Sequence, residues 1–279
     1  MARAAGPGWR TGATRLSDIF AGQASEADLL ADLYDLEHDA IGEDLVFYRE
    51  WARRAGGSVV DLGCGSGRLF GSFLDGGARH VVGMDGSPAL LERARRRIDA
   101  DPRLRAAFAD GRIELVEADV RRAAHRDRFQ LVVLAGVLAH LDGPEEALRA
   151  ITAAAGLLSA SGLLVLDGLG PGGLPQRDLP LSVDWRGSLH GRQVVRRSQL
   201  TRHEVPEGLR VLFATLVDVA GPDGTIARLP ASFRLWYPSP GRLLQLVDEA
   251  NLVVETTYGS HDLEALDAES ERCIVVARR

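Results

Sequence analysis

The sequence predicts an α/β fold: a mostly parallel sheet with helices on both faces, and an antiparallel β unit inserted late in the chain. Three observations predict it. From Ser58 to Gly168, short runs rich in Val and Leu alternate with segments at helical spacing, the rhythm of a doubly wound parallel sheet. The first run closes on DLGCGSG, with glycine at every second position. After Gly168 the rhythm gives way to long extended segments and resumes only near the C-terminus.

Residues 1–24 are rich in Gly, Ala and Ser and read as a mobile arm. ASEADLLADLYDLEHDA reads as a helix, with Leu29, Leu30, Leu33 and Leu36 near helical spacing. EDLVFYREWARRAGG is a second amphipathic helix, stopped by Gly56 and Gly57. Next come the strand SVVDLG, the helix GRLFGSFLDGG, the strand HVVGMDGS and the helix PALLERARRRI, opened by Pro88. RIELVEADV and FQLVVLAG are the third and fourth strands, PEEALRAITAAAGLLSASG a long helix and LLVLDGLG the fifth strand. PGGLPQRDLP is a turn-rich linker. SVDWRG, RQVVRRSQLTRHEV, GLRVLFATLVDVAG and TIARLPASFRLWYP follow, and their PEG and PDG turns read as antiparallel hairpins. The helix GRLLQLVDEA and the strands LVVETTYG and CIVVARR complete the chain. The expected organisation is therefore an arm (1–24), one α/β domain (25–174 and 239–279) and a β insertion (175–238).

At 279 residues and 46% hydrophobic, the chain can bury a sizeable core. A net charge of −6 removes bulk attraction to a polyanion, so no nucleic-acid partner is expected. Cys64 and Cys273 are the two cysteines, which suggests no disulfide framework and suits a reducing cytosol. The N-terminal residues lack the apolar core of a secretion signal, and no run approaches the roughly 18 apolar residues of a membrane span. A cytoplasmic protein with no membrane partner is expected. The histidines are scattered and no set has metal-ligand spacing, so no metal is expected.

Glycines at a strand-to-helix turn let the backbone bend sharply and let a ligand approach main-chain atoms. A dinucleotide site needs G-x-G-x-x-G, and Arg68 occupies the sixth position here. A phosphate-binding P-loop needs G-K-[ST], which is missing. Asp61, two residues before the first glycine, would repel a pyrophosphate but suits a cationic ligand.

With these residues the chain resembles the class I S-adenosylmethionine-dependent methyltransferases, whose first motif is an acid followed by G-x-G-x-G. Asp61, Gly63, Gly65 and Gly67 match it, and Asp85, Asp119 and LVVLAGVLAHL stand in the family's order at strand ends. The resemblance covers Val59 to Gly168 and the last helix and strands. It implies a Rossmann-like seven-stranded sheet and S-adenosyl-L-methionine as cofactor, with S-adenosyl-L-homocysteine as product. It further implies that Asp61 orients the α-ammonium, Asp85 with Gly86 holds the ribose, and Asp119 with Val120 meets the adenine. Backbone at Gly63, Cys64, Gly65, Gly67, Ala135 and Gly136 would border the methionine end, and Arg68 would reach its carboxylate. Each aspartate taken alone also reads as a turn former or helix cap. Cys64 reads as a small filler of the turn rather than a nucleophile.

Methyl transfer needs alignment above all, and a base when an oxygen acceptor must lose a proton. His140, in the loop after the fourth strand, is the first catalytic candidate; its alternative is packing over the cofactor or capping the next helix. Tyr34, on the N-terminal helix that family members fold over the cofactor, is the second. Tyr48 could join it, although its helical position favours a ring in the core. Trp185, Arg197, His203, Trp236, Tyr237, Tyr258 and His261 are candidates to line an acceptor pocket, with the β insertion as its cap. RQVVRRSQLTRH suits an anionic substrate or a solvated strand face. The N-P-P-[YF] motif of DNA and protein amide methylation is missing after the fourth strand. The expected function is transfer of a methyl group to N or O of a small molecule in specialised, natural-product metabolism. Two alternatives stay open: an RNA or protein methyltransferase, and an enzyme that binds the cofactor but catalyses a cyclisation or rearrangement. Oligomeric state is open, a homodimer included.

Overall fold

The computed structural model describes residues 32, 33, 35, 42–189, 191–221 and 223–279. The predicted arm, most of the first predicted helix and Tyr34 lie outside the described residues.

Among the described residues the strands form two sheets. The first contains β1 (Ser58–Leu62), β2 (His80–Asp85), β3 (Ile113–Glu117), β4 (Phe129–Ala135), β5 (Leu158–Leu169), β10 (Val253–Tyr258) and β11 (Arg272–Arg278). Its order is β10-β11-β5-β4-β1-β2-β3, parallel except for β11, which runs antiparallel to both neighbours. This is the predicted seven-stranded, mostly parallel arrangement. The inner strands β1, β2, β4, β5 and β11 are largely buried on both faces, as a sheet covered twice requires, and the edge strands β3 and β10 are less so. Val59, Val81, Leu131 and Val133 face α1 (Glu43–Ala55), α2 (Phe70–Asp75), α3 (Pro88–Ala100) and α4 (Pro102–Ala109). Val60, Val82, Val132 and Leu134 face α5 (Pro144–Leu157) and α6 (Pro240–Glu249). The period-two alternation of side chains along each strand sends neighbouring valines into opposite cores.

Local chemistry sets most helix starts. Pro follows the capping residue in α3, α4 and α6, where the missing N–H costs nothing, and the preceding Ser87, Asp101 or Ser239 side chain accepts from the first turn. The α4 helix is unpredicted, although Asp101-Pro102 carries that start signal. The predicted long helix after β4 ends at Leu157, and Ser159 to Ser161 already belong to β5. Pairing decides this: Leu158 is in register with Phe129 of β4, and a bulge follows before Leu163 pairs with Leu131. Gly162 permits the approach, since a Cβ there would stand 2.6 Å from the Phe129 carbonyl oxygen.

The second sheet is an antiparallel meander, β6 (Leu179–Leu189), β7 (Arg192–Val205), β8 (Gly208–Ala220) and β9 (Ile226–Pro238). The predicted PEG turn joins β7 to β8, and Gly224, at φ 82°, serves the PDG turn between β8 and β9. Arginines of β7 are matched within the sheet: Arg196 pairs with Asp184 at 2.9 Å, Arg197 with Asp218 at 2.8 Å and Arg202 with Glu204 at 2.8 Å. Three of the four arginines in the charge run are thus paired with acids, and Arg192 donates to the Ala220 carbonyl.

Candidate active site

The strand order reverses between β1 and β4, so a crevice opens at their C-terminal ends, where open α/β sheets bind ligands. Two loops border it. The glycine turn leaves β1 with Gly63, Gly65 and Gly67 at φ 85°, 55° and 74°, a region hostile to other residues. The loop after β4 begins with Gly136, also at positive φ. The loops touch, for a Cβ on Gly63 would stand 2.4 Å from Val137 Cγ2.

Asp85 braces the turn from the end of β2. One carboxylate oxygen accepts from Gly65 N at 2.9 Å, the other from Ser87 N at 2.8 Å. Burial raises its pKa, and these N–H donors oppose the rise. The Gly86 N–H adds a third such bond, which leaves the carboxylate one further lone pair for a ligand hydroxyl. Gly86 beside it is exposed. Gly63 N and Cys64 N both donate to Met84 O, which ties the turn to β2. The Cys64 thiol is buried and held neutral by that burial, so it fills the turn.

Asp61 is 2% exposed at the end of β1, and among the described residues no group donates a hydrogen bond to its carboxylate. Burial pushes its pKa up to about 7; the Arg68 charge opposes the rise and Asp85 adds to it. A buried carboxylate in this state gains from any cation that reaches it.

Arg68 and Asp119 are placed differently from expectation. Arg68 turns toward α1, where Nη1 donates to Asp44 Oδ1 at 2.8 Å and Nη2 to Oδ2 at 2.5 Å. Asp119 lies two residues past β3 and caps the 3-10 turn Val120–Arg122 through Arg121 N at 2.9 Å. Arg121 Nε and Nη2 occupy its two oxygens at 2.8 and 2.7 Å, with Arg122 at 3.4 Å. The Arg121 bonds hold its pKa far below the usual carboxylate range. In this arrangement no lone pair remains for an adenine amino group, and the cap reading of this residue is the one observed. Val120 is half-buried against the core.

Beyond Ala135, His140 ends a 3-10 turn (Leu138–His140) and is exposed. A cavity of 150 Å³ lies beside it, between the ends of β4 and β5 and the second sheet; its lining includes Gly136, His140, Asp167, Tyr237 and Arg272. Of the proposed pocket aromatics, Tyr237 lines this cavity. Trp236 packs in the core and Tyr258 lies against Trp51, while His203 is exposed and Trp185 packs with Leu33 and Val194.

The cavity wall holds a charged cluster that the sequence reading missed. Asp167, at the end of β5, is 4% exposed. It accepts from Tyr48 Oη at 2.5 Å, Arg272 Nε at 2.9 Å and Arg272 Nη2, and it meets His261 Nε2 at 2.9 Å. Burial pushes Asp167 up, yet the His261 bond and the Arg272 charge overcome it and leave the carboxyl below its ordinary pKa. A single acid in the otherwise apolar run LLVLDGLG was the available signal, because buried charges need partners. Tyr48 is fully buried, as the core reading of its ring expects, but its hydroxyl belongs to this cluster.

Residues 59–162 match the family described as Methyltransferase domain. Carboxy-S-adenosyl-L-methionine synthase of Erwinia tasmaniensis is 36% identical over 111 residues, which are 39% of this chain; the match spans 42% of that relative's length. A sugar N-methyltransferase from Streptoalloteichus, 22% identical, covers 100% of this chain and 99% of its own with a TM-score of 0.65. An S-adenosylmethionine-bound amino pentose methyltransferase from Micromonospora echinaspora, also 22% identical, covers 92% and 97% with a TM-score of 0.62. These two structures share the fold. No helix among the described residues is long and apolar enough to cross a membrane, and no group of three or more potential metal ligands occurs among them.

Proposed function

We propose that this chain, whose residues 59–162 match a methyltransferase-domain family and whose fold is shared with methyltransferase structures, methylates N or O of a small molecule with S-adenosyl-L-methionine as donor. The observation that carries this reading is Asp61: a buried carboxylate with no donor among the described residues, beside a turn whose glycines take left-handed backbone conformations. The residues present fit the donor's chemistry, which has an ammonium and a sulfonium and no phosphate. Asp61 would accept from the ammonium and Asp85 from the ribose hydroxyls, with Gly136 leaving space at the backbone. When bound, the cofactor supplies an electrophilic methyl group.

The protein's remaining work is alignment and proton handling. His140 stands at the cavity mouth, where it would take a proton from a hydroxyl acceptor or orient an amine. The antiparallel sheet, residues 175–238 with its adjoining linker, forms the acceptor cap through Leu235 and Tyr237. The sugar N-methylation and the amino pentose named for the two similar structures make oxygenated amines the first compounds to try.

Calorimetric titration with S-adenosylmethionine and S-adenosylhomocysteine tests the reading. Micromolar binding of both, on the order of −8 kcal/mol, is expected; absence of binding by either would overturn it. A second reading, cofactor binding with a reaction other than methylation, draws on the match to a synthase of a carboxylated S-adenosylmethionine. Release of S-adenosylhomocysteine with a methylated acceptor, followed by mass spectrometry, separates the two.

A further inference from the structure

We propose that Arg272 and Tyr237 determine acceptor specificity: they donate hydrogen bonds to uncharged hydroxyl oxygens of a compact acceptor held in the cavity beside His140. The proposal rests on the acceptor-site reading above and names the chemistry which that site recognises.

The cavity wall is built by β5 and β11. Arg272 is in antiparallel register with Leu169, and Asp167 lies two residues before Leu169 on the same face of β5. Arg272 and Asp167 are therefore diagonal neighbours, close enough for a long side chain to reach across. The acceptor capacity of Asp167 is spent inside the protein. Oδ1 accepts from Arg272 Nε at 2.9 Å and from Nη2, while Oδ2 accepts from Tyr48 Oη at 2.5 Å and meets His261 Nε2 at 2.9 Å. A carboxylate has about four such sites, and four groups occupy them. Asp167 is the one acid in the cavity lining among the described residues. The wall thus offers an incoming ammonium no carboxylate lone pair.

Donors remain. A guanidinium carries five N–H groups, and among the described residues those of Arg272 bond only to Asp167, through Nε and Nη2. The end of the fork, Nη1 and the outer N–H of Nη2, is left on a side chain that is 26% exposed and borders the cavity. Tyr237 borders it from β9; the residue is half-buried, and no described residue hydrogen-bonds its hydroxyl. Leu235, on the same face of β9, and Leu243 add apolar wall. A few donors in an apolar setting are how a small-molecule site fixes orientation. Asp167 cancels the charge of Arg272, so the pair supplies hydrogen bonds without net attraction for an anion, and a hydroxyl suits it better than a carboxylate. At 150 Å³ the cavity is smaller than the roughly 300 Å³ at which sites for drug-sized ligands begin, which fits a single ring.

The test is a ligand-observed NMR titration of the full chain, saturated with S-adenosylhomocysteine, using three single-ring amines. Scyllo-inosamine carries hydroxyls around the ring, cyclohexylamine carries none, and trans-4-aminocyclohexanecarboxylate carries an anion. Wild type should bind scyllo-inosamine about tenfold more tightly than cyclohexylamine, and the carboxylate no more tightly than cyclohexylamine. Arg272→Lys keeps a cation beside Asp167 but loses the fork, and Tyr237→Phe leaves the Asp167 cluster intact. Each should weaken scyllo-inosamine about threefold or more and leave cyclohexylamine unchanged. If Arg272→Lys does not fold, Tyr237→Phe gives the same readout. An equal loss for both compounds in the variants would mark a merely structural role and overturn the proposal. Tighter binding of the carboxylate than of scyllo-inosamine would overturn it too, as would no binding of scyllo-inosamine by wild type. If wild type does not bind S-adenosylhomocysteine, the cofactor reading itself fails, which is a separate result.

Discussion

Tyr48→Phe removes one oxygen from the centre of the Asp167 cluster and little else. The ring is fully buried, and its edge contacts with Phe47 and Phe73, at 5.3 and 6.2 Å between centroids, survive the change. Asp167 keeps the Arg272 and His261 bonds, so its charge is not orphaned. The loss should be that of one hydrogen bond to a charged acceptor, about 1.5–3 kcal/mol. That is a substantial part of the roughly 5–15 kcal/mol that holds a domain folded. Urea denaturation followed by circular dichroism should show a lower midpoint at an unchanged slope, and thermal unfolding should shift down by roughly 3–10 °C. The effect has a definite pH dependence. Because the folded-state pKa of Asp167 is depressed, its stabilisation is present above the carboxylate's unfolded pKa and lost as pH falls through the folded value. The difference between wild type and Tyr48→Phe should therefore shrink in acid. A difference below about 0.5 kcal/mol at neutral pH, or one indifferent to acid, would refute the claim that the hydroxyl serves this carboxylate.

Three further outcomes are expected. Gly63→Ala forces an alanine to φ 85° and drives its Cβ to 2.4 Å from Val137, so stability should fall by more than about 1 kcal/mol and cofactor affinity with it; a folded variant with wild-type affinity would show that the turn does not need glycine. Asp85→Ala removes the acceptor of Gly65 N and Ser87 N together with the proposed ribose contacts, and calorimetry should record at least about a hundredfold loss of S-adenosylmethionine affinity, against near wild-type binding if the assignment is wrong. His140→Ala should lower turnover by about 10²-fold or more for a hydroxyl acceptor while leaving cofactor affinity intact, and unchanged turnover would remove His140 from the chemistry.

Much of the geometry around the glycine turn is local in origin and legible in the sequence. A glycine at φ 74° and a serine ahead of Pro88 declare themselves within a few residues. Side-chain alternation along Val59 and Val60 likewise follows from the strand itself. The same locality misleads where a neighbour competes. Asp119 looks like a strand-end ligand until Arg121, two residues on, folds back over it. The α5 helix looks longer until Leu158 finds Phe129.

Residue order alone determined the alternating α/β plan, the antiparallel insertion and the turn with Asp61 and Asp85 at its sides, because period, capping and backbone freedom act over short stretches of chain. Tertiary structure alone decided which distant polar side chains meet in the core. Asp44 and Arg68 stand 24 positions apart, Arg272 and Asp167 105, and Tyr48 and Asp167 119. No local pattern encodes those pairs. They form because burying a charge in this core is tolerable only beside its partner, and the sheet order brings the partners together.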